Sequence, residues 1–553
     1  MVFAKHDHSE RVFNRWRSAV QRVAVGLLGL ACGSAFSQFD PSIGGYAFAI
    51  EGSNSNTLTS MVIQADGKII LAGSCTNAGT PNFCVARLTN AGVLDTSFVS
   101  TGGKQGAFWQ SIGTADNSAR AVALQPDGKI VLAGSCRVGA VYRFCLTRLH
   151  RDGALDTGFN GPGPGGVGLG SGAGRFLLPA FLAPGAATDL LKAMAIQADG
   201  KIVVAGQCLP DVSAASRFCV ARLNGDGSLD RNFQGPGGTG NGAFSFAHLW
   251  SGYPDAIRIQ PDGKILLAGV CVTPTGQDFC AARLHGTTGG YDTNFDGGDM
   301  IVALTGNGRI VVPVAAASGD DYVSSMVLTP DNTIILAGSC RRASLFEFCG
   351  LRLETDSGRS LTFSGTRTYG FFDLMASGHS YATGIVLHDD GRFTLAGQCH
   401  NGTTNQFCIA RHNANGTLDS GSANTVFGDG RFILPPILQN DRASAIALQP
   451  RGNNASYDGS LVVAGTCGLG STDFFCVTRI NNQDSGINCK LDIDDDGKML
   501  GTVDGLILTR IMLGFDNSAA IRGITFGSDA RRNTWPKISE YLIAHCGMTL
   551  RGD

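Results

Sequence analysis

The chain carries almost no net charge. Its 43 lysines and arginines nearly balance its 45 aspartates and glutamates, and charged residues make up only 16% of the sequence. Because nucleic-acid-binding proteins usually present a basic face, this balance gives no electrostatic support for such a partner.

Long apolar runs are also missing. Beyond the N-terminus, no stretch approaches the roughly 18 uninterrupted apolar residues expected of a membrane-spanning helix.

A catalytic constellation is missing as well. The histidines after the N-terminal segment share no motif and are scattered over different repeats, as at His150, His248, His285, His379 and His400. An active site needs acids, bases or nucleophiles that converge, so the scatter disfavours an enzyme. It does not exclude one, because a site can draw its residues from several repeats. No CxxC motif occurs, which argues against a structural zinc site.

Residues 1–37 are typical of a secretory signal peptide. Five basic residues precede an apolar run at 23–31, and a small-x-small step at 35–37 precedes Gln38. We therefore expect a secreted protein, periplasmic, extracellular or attached to the cell surface. Cys32 raises the alternative of a lipoprotein signal, but Gly29 stands where a bulky aliphatic residue is normally required.

The other sixteen cysteines form an ordered set. Seven pairs recur every 59 to 72 residues, and the two members of a pair are usually nine residues apart. The pairs are Cys75 and Cys84, Cys136 and Cys145, Cys208 and Cys219, Cys271 and Cys280, Cys340 and Cys349, Cys399 and Cys408, and Cys467 and Cys476, with Cys489 and Cys546 left over as an eighth. An even count in an exported chain predicts disulfides. Each pair joins the end of one strand to the start of its antiparallel neighbour, so we expect eight bridges within their own units.

Each cysteine pair belongs to one repeat of about four strands. An Asp-Gly turn between two β-prone runs predicts a hairpin, as at Asp127-Gly128, and a shorter apolar segment such as 242–246 adds a further strand. Seven such units predict an all-β fold, a seven-bladed β-propeller over residues 38–485. A β-helix or an open sandwich array is the alternative. The seventh unit lacks its last segment while residues 39–50 resemble one, and such a split repeat is what a closed ring requires.

The repeat predicts two different rims. The Asp-Gly turns and the turns before each Leu-Asp motif share one rim, here called the turn rim, which is nearly uniform. The loops between paired cysteines share the opposite rim, the cysteine-loop rim. They differ in every unit, as in 76–82, 209–217 and 341–347. Recognition is expected on the variable rim, although these loops could also be merely tolerated.

An arginine follows the second cysteine of each of the seven repeat pairs by three residues. The seven are Arg87, Arg148, Arg222, Arg283, Arg352, Arg411 and Arg479. They could ring a channel and bind an anion. We favour pairing with the aspartates of the Leu-Asp motifs, because charges between packed blades must be matched. Those aspartates are Asp95, Asp156, Asp230, Asp292 and Asp419.

The motifs Gln-Pro-Asp-Gly-Lys-Ile-Val-Leu-Ala-Gly, Cys-Val-Ala-Arg-Leu and Gly-Ser-Leu-Asp-x-x-Phe resemble the bacterial delta-60 β-propeller repeat family. The resemblance covers most of residues 38–482, and the paired cysteines are an addition to the family pattern. It implies a secreted or surface propeller, with no common catalytic activity to carry over.

Residues 486–553 predict a small α-helical module with one calcium loop. Asp492, Asp494 and Asp496 stand at loop positions 1, 3 and 5, Gly497 makes the turn, and Lys498 offers its backbone carbonyl. The usual closing glutamate is absent, and we expect Asp504, one place later, to close the loop around Ca²⁺.

The module resembles a dockerin repeat, with helical patterns at 504–515 and 536–545. Only one of the two calcium loops of a dockerin is legible, so a cohesin-like partner is doubtful and attachment or packing is an alternative. From the whole sequence we expect a non-catalytic protein that binds an extracellular protein or glycan. A secreted propeller hydrolase acting on polysaccharide and a purely structural envelope component are the alternatives.

Overall fold

We describe the fold from a computed structural model. It describes residues 45–480 except 51–52, 54, 101–102, 104, 113–114, 160–173, 182–187, 210–214, 239, 247–250, 275, 296–306, 315–318, 332, 356–359, 364–368, 373–377, 420–429, 435 and 450–459. It also describes 493–494, 503, 506–507, 510–511, 517–527 and 530–546. The signal-peptide prediction for 1–37 lies outside these residues.

Seven antiparallel sheets, numbered here as blades 1 to 7 in chain order, make up the propeller. The inner strands are Ser55–Ile63, Ala115–Leu124, Thr188–Ile196, Ser251–Ile259, Asp321–Leu328, Ser380–Leu387 and Asn440–Leu448. The second strands are Ile69–Asn77, Ile130–Val138, Ile202–Leu209, Ile265–Thr273, Thr333–Arg342, Phe393–His400 and Leu461–Leu469. The third strands are Thr80–Leu88, Val141–Leu149, Arg217–Leu223, Gly276–Leu284, Leu345–Glu354, Asn405–His412 and Thr472–Ile480. The outer strands are Ala107–Gln110, Arg175–Leu177, Ala243–Phe246, Arg309–Val312, Tyr369–Phe372, Arg431–Ile433 and Tyr46–Phe48, and blade 5 adds Ser360–Leu361.

The ring closes through the split repeat that the sequence predicts. Each inner strand contacts the inner strand of the next blade, and that of blade 7 contacts that of blade 1. The N-terminal strand Tyr46–Phe48 pairs with the third strand of blade 7, with Ala47 opposite Cys476. The seven-bladed propeller is therefore confirmed, while residues 39–43 of the proposed split unit lie outside the described residues.

The core lies between the blades. Second and third strands are buried on both faces, which explains why they read as continuous apolar runs such as Ile-Val-Leu-Ala. One cluster joins Phe83 and Phe108 of blade 1 to Leu132 of blade 2, and another joins Leu71 of blade 1 to Phe475 of blade 7. The same packing thus continues across the point of closure.

Every inner strand contains a β-bulge at the same place. The extra residues are Thr59, Arg120, Lys192, Asp255, Ser324, Thr383 and Ser444. The glycine of each Ala-Gly motif lies opposite. A Cβ at Gly206 would stand 2.1 Å from the carbonyl oxygen of Leu190, and one at Gly269 would stand 2.0 Å from that of Tyr253. The bulge is therefore the reason that this glycine recurs.

A second compact unit contains the C-terminal residues. Its described part has two helices, Asn517–Ile521 and Trp535–Cys546, and a small apolar cluster that includes Ile493, Ile507 and Leu542. Nowhere in the described chain is there a helix long and apolar enough to cross a membrane.

Candidate functional site

Ion pairs occupy the turn rim, as the sequence predicts. Five of the repeated arginines lie 2.7–2.9 Å from the aspartate of their own Leu-Asp motif. The pairs are Arg87–Asp95, Arg148–Asp156, Arg222–Asp230, Arg283–Asp292 and Arg411–Asp419. Both partners in each pair are buried. The alternative of an anion-binding ring of free arginines is thus not supported at these five positions.

The same arginines connect neighbouring blades. The guanidinium of Arg148 lies over the ring of Phe159, 4.6 Å from its centroid, and donates to the carbonyl oxygen of Gly225 in the next blade. Gln125 donates to the carbonyls of Gly200 and Gly225 at 3.1 and 3.2 Å. The recurrent Gln-Pro-Asp-Gly and Leu-Asp-x-x-Phe motifs are therefore structural: they join blades along the turn rim.

The neighbouring positive charges along this rim lower the pKa values of some of its carboxyl groups. Burial acts to raise the pKa of Asp156, but the hydrogen bond from Lys129 and the charge of Arg148 outweigh it and hold the pKa below its usual value. Blades 5 and 7 depart from the pattern. Arg352 pairs with Asp331 of its own hairpin turn, and Arg479 donates to the Asn90 carbonyl of blade 1.

Seven disulfides clamp the bases of the loops on the opposite rim. All seven repeat pairs are bridged within their own blade, with Cα–Cα distances of 5.7–5.9 Å. The bridges join Cys75 to Cys84, Cys136 to Cys145, Cys208 to Cys219, Cys271 to Cys280, Cys340 to Cys349, Cys399 to Cys408 and Cys467 to Cys476. They confirm the sequence prediction for these fourteen cysteines. Cys489 lies outside the described residues, as does the side chain of Cys546, so the eighth bridge stays a prediction.

A buried polar residue opposite the first cysteine anchors the linker from the preceding blade, and the sequence analysis did not identify it. Asp441, paired with Cys467, accepts hydrogen bonds from the backbone N–H groups of Ile437 and Leu438 at 2.6 and 3.2 Å. Asp321 accepts one from Val314 at 2.8 Å. Burial raises the pKa of Asp441 to about 6, and likewise that of the equivalent Asp189. A polar residue near the start of six of the seven inner strands was the available signal, with Gly252 of blade 4 as the exception.

Three tyrosines stand in register on the inner strands of blades 4, 5 and 6, each opposite the residue before the first cysteine. They are Tyr253, Tyr322 and Tyr381. The other blades carry Thr57, Ser118, Leu190 and Arg442 at this place. All three tyrosines are half-buried. They lie toward the cysteine-loop rim of the inner strands, next to the axis of the ring.

Phe346 connects two of these tyrosines. Its ring centroid is 5.7 Å from that of Tyr322 and 5.4 Å from that of Tyr381, and His379 lies 6.0 Å from Phe346 and from Tyr381. Gln277 donates to the hydroxyl of Tyr322 at 2.8 Å. Because Phe346 belongs to the variable segment 341–347, the loop and the inner strands form one aromatic surface.

Charged residues at the bulges continue this surface on blades 2 to 4. Lys192 lies 3.3 Å from Asp255 and 4.6 Å from the centroid of the Tyr253 ring. Burial raises the pKa of Asp255, while the charges of Lys192 and then Arg120 act in the opposite direction. Arg120 is exposed although it lies on an inner strand. The three groups bring two positive charges and one carboxyl together near the axis.

Among the described residues the histidines do not converge on one site, although the backbone N–H of His400 donates to the carbonyl of His379 at 2.9 Å. His379 joins the aromatic surface, whereas His150 lies 3.7 Å from Asp156 on the turn rim, and His248 lies outside the described residues. His412 stacks on Phe393 in the core, and burial lowers its pKa to about 3. No group of three or more histidines, cysteines and acids suited to a metal ion occurs in the part of the chain that the structure describes.

Only one of the predicted calcium ligands falls within the described residues. Asp494 is buried, and its carbonyl accepts a hydrogen bond from the Arg532 N–H at 2.8 Å. The other four, Asp492, Asp496, Lys498 and Asp504, lie outside the described residues. The calcium loop therefore stays a prediction.

Four repeats match a known family model. The model is described as "Domain of unknown function (DUF5122) beta-propeller", and it matches residues 64–98, 125–159, 197–233 and 388–421. These matches agree with the resemblance to the delta-60 repeat family, while the dockerin-like module stays a prediction. No curated protein matches the chain.

Solved structures are similar to this chain only at low identity. The polysaccharide lyase Uly1 is 11% identical with a TM-score of 0.44, covering 79% of this chain and 92% of its own. A PL25 ulvan lyase is also 11% identical with a TM-score of 0.43, covering 78% and 96%. Drosophila Plexin A in complex with Semaphorin 1b is 9% identical with a TM-score of 0.38, covering 82% and 90%.

Proposed function

We propose that this protein is an extracellular, non-catalytic β-propeller that binds a protein or glycan through its cysteine-loop rim. The observation that carries the proposal is the contrast between the rims. Repeated ion pairs and hydrogen bonds between blades use the polar side chains of the turn rim. The cysteine-loop rim has different residues in each blade, held on a disulfide-clamped frame, as expected of a rigid scaffold that displays a binding surface.

Disulfides support the extracellular location. Seven bridges in one chain are typical of proteins that fold in an oxidising compartment, because cytosolic thiols are kept reduced. The proposed signal peptide at 1–37 would deliver the chain there. We further propose that the C-terminal module binds Ca²⁺ and serves as a terminal attachment or stabilising unit.

A hydrolase acting on polysaccharide is the catalytic alternative, and one carboxyl pair would be its centre. Burial raises the pKa of Asp278, the hydrogen bond from Thr273 opposes this rise, and the negative charge of nearby Asp320 adds to it. Gln277 places this pair beside Tyr322, because its N–H donates to Asp320 at 3.2 Å and its amide to the Tyr322 hydroxyl. An Asp320→Asn variant would lose turnover if this alternative were correct.

Glycan and protein arrays probed with residues 38–553 test the proposal. We expect at least one ligand whose binding is lost when segments 76–82 and 341–345 are replaced by Gly-Ser chains, since these segments are on the variable rim. A control variant, Val93→Ser/Arg231→Ser/Asn415→Ser, changes exposed residues of the turn rim and should bind normally. Loss in the control with retention in the loop variant would contradict the proposal. So would turnover of an array glycan that Asp320→Asn abolishes.

A further inference from the structure

We propose that Tyr253, Tyr322, Tyr381 and Phe346, together with Lys192 and Arg120, form the binding surface for an acidic oligosaccharide, a glycan that carries carboxylate or sulfate groups. This inference rests on the proposed function and names its site and its ligand class. The surface runs from the aromatic residues of blades 4 to 6 to the cationic residues of blades 2 and 3.

The propeller itself does not require this aromatic row. The register position of the three tyrosines holds a threonine, a serine, a leucine and an arginine in the other four blades. Those blades have the same strands, bulges and disulfides. A residue needed for the fold would recur as the Ala-Gly glycine does, so the three tyrosines are specific to one side of the ring.

The chemistry of the row suits a sugar chain. Its side chains are half-buried, so each remains partly accessible to solvent. Aromatic faces pack well against the C–H face of a pyranose, and the phenolic hydroxyls can bond to sugar hydroxyls. Gln277 donates to the hydroxyl of Tyr322, so the proton of that hydroxyl is available for an acceptor on a ligand. A few polar groups around an apolar platform are the usual composition of a ligand site.

The charges select an acidic glycan over a neutral one. Lys192 bridges Asp255 and covers the Tyr253 ring, and Arg120 adds a second cation that acts on the same carboxyl. Two cations against one carboxyl leave an excess of positive charge beside the aromatic row. At the other end, the charges of Asp320 and of exposed Arg341 act on Tyr322 in opposite directions, so the positive excess belongs to the blade 2 and 3 end. Guanidinium and ammonium groups are the usual partners of carboxylate and sulfate.

Calorimetric titration of residues 38–553 with three hexasaccharides tests this assignment. The probes are hexagalacturonate for carboxylate, a heparin-derived hexamer for sulfate, and cellohexaose as the neutral comparison. We expect at least one acidic hexamer to bind about tenfold or more tightly than cellohexaose. Raising the sodium chloride concentration from about 0.05 M to about 0.5 M should lower the affinity for the acidic ligand, because salt screens exposed charges.

Matched variants show whether binding depends on the proposed surface or on residues outside it. Tyr322→Ala should weaken binding of the acidic hexamer about tenfold or more. Tyr291→Ala should not, because Tyr291 is a half-buried tyrosine of blade 4 that precedes Asp292 on the turn rim. Tyr322→Phe keeps the ring and should retain most of the binding. Lys192→Gln should weaken binding of the acidic hexamer, whereas Lys201→Gln should leave that binding unchanged. Both lysines are in blade 3 with equal exposure, each beside one aspartate, but Lys201 follows the Asp-Gly turn.

Several results would overturn the assignment. They are absence of binding by both acidic hexamers, equal binding of cellohexaose, or equal effects of Tyr322→Ala and Tyr291→Ala. A different array ligand lost in the loop variant would keep the proposed function and reject the acidic glycan. If that ligand is a protein whose binding Tyr322→Ala also weakens, the aromatic row is a protein-binding surface. Array binding that the loop variant retains would reject the proposed function itself.

Discussion

At the scale of single residues, each residue that recurs in the repeats has its own physical cause. The Ala-Gly glycine recurs because a bulge in the inner strand brings a carbonyl oxygen against it. The Leu-Asp aspartate recurs because a buried arginine needs a counter-charge. The aspartates opposite the first cysteines hold linkers by accepting backbone N–H groups, and burial raises the pKa of two of them, Asp189 and Asp441.

Gly206→Ala tests the bulge. The added Cβ would lie 2.1 Å from the carbonyl oxygen of Leu190, so either the bulge or the strand pairing must shift. We expect a loss of about 2–4 kcal/mol in the free energy of unfolding, measured by urea denaturation. Gly225→Ala in the same blade is the control, because its nearest neighbour would be 3.5 Å away. Similar losses in the two variants would contradict the explanation.

Asp441→Asn tests the buried carboxyl. Its folded-state pKa of about 6 lies above the ordinary 3.8, so the unfolded chain releases the proton first as the pH rises. The stability that the protonated carboxyl contributes is therefore present below about pH 4 and is lost by about pH 6. We expect the decline in the urea midpoint over this range to be smaller in Asp441→Asn. Asp127→Asn, an exposed aspartate, should keep the wild-type decline, and equal slopes in all three proteins would refute the assignment.

At the scale of elements, each disulfide hairpin separates a constant frame from a variable tip. The bridge joins the second and third strands at the cysteine-loop rim, and the turn beyond it differs from blade to blade. Closing a loop of about ten residues contributes roughly 3 kcal/mol in the chain-entropy description. Such clamping lets the loop sequence vary without loss of the strand pairing.

The predicted calcium loop can be tested directly by measuring calcium binding. We expect one calcium ion to bind residues 38–553 in calorimetry, and Asp492→Ala/Asp494→Ala to abolish the signal, because alternate carboxylates supply most of the ligands. Melting of the propeller should change little, since the C-terminal residues belong to a separate compact unit. Asp516→Ala, in the same module but outside the loop, is the control. Absence of calcium heat in the unaltered protein would show that the shifted closing position disables the loop.

At the scale of the whole molecule, the ring depends on a strand from the other end of the chain. Tyr46–Phe48 completes blade 7, Phe48 packs on Phe475 at 6.0 Å, and Ile50 is buried between blades 7 and 1. A closed ring leaves only short, protected strand edges, whereas an open one presents the third strand of blade 7 to solvent.

Removal of residues 38–52 tests this closure against the parent fragment 38–553. Burial of Phe48 and Ile50 contributes about 3–5 kcal/mol, so we expect a lower melting temperature and self-association through the exposed edge. A synthetic peptide of residues 38–52 should restore the monomer. An unchanged melting temperature and a monomeric truncated protein would show that the strand is dispensable.

The sequence alone determined the number of blades, the seven bridges within blades, the arginine–aspartate pairs and the closing strand. Each of these depends on residues that recur with a fixed spacing or that are close in the chain, such as Arg148 and Asp156. A repeated sequence predicts such contacts, because every copy must satisfy the same local geometry.

Only the tertiary structure decided which features form a candidate site. Tyr253, Tyr322 and Tyr381 are roughly one repeat apart, share no motif, and come together because the inner strands surround one axis. Lys192 and Asp255 meet because bulges in adjacent blades place them at the same level. Recurrence reveals what every blade needs, whereas a binding surface is built from what differs between blades, and only folding shows which differences lie side by side.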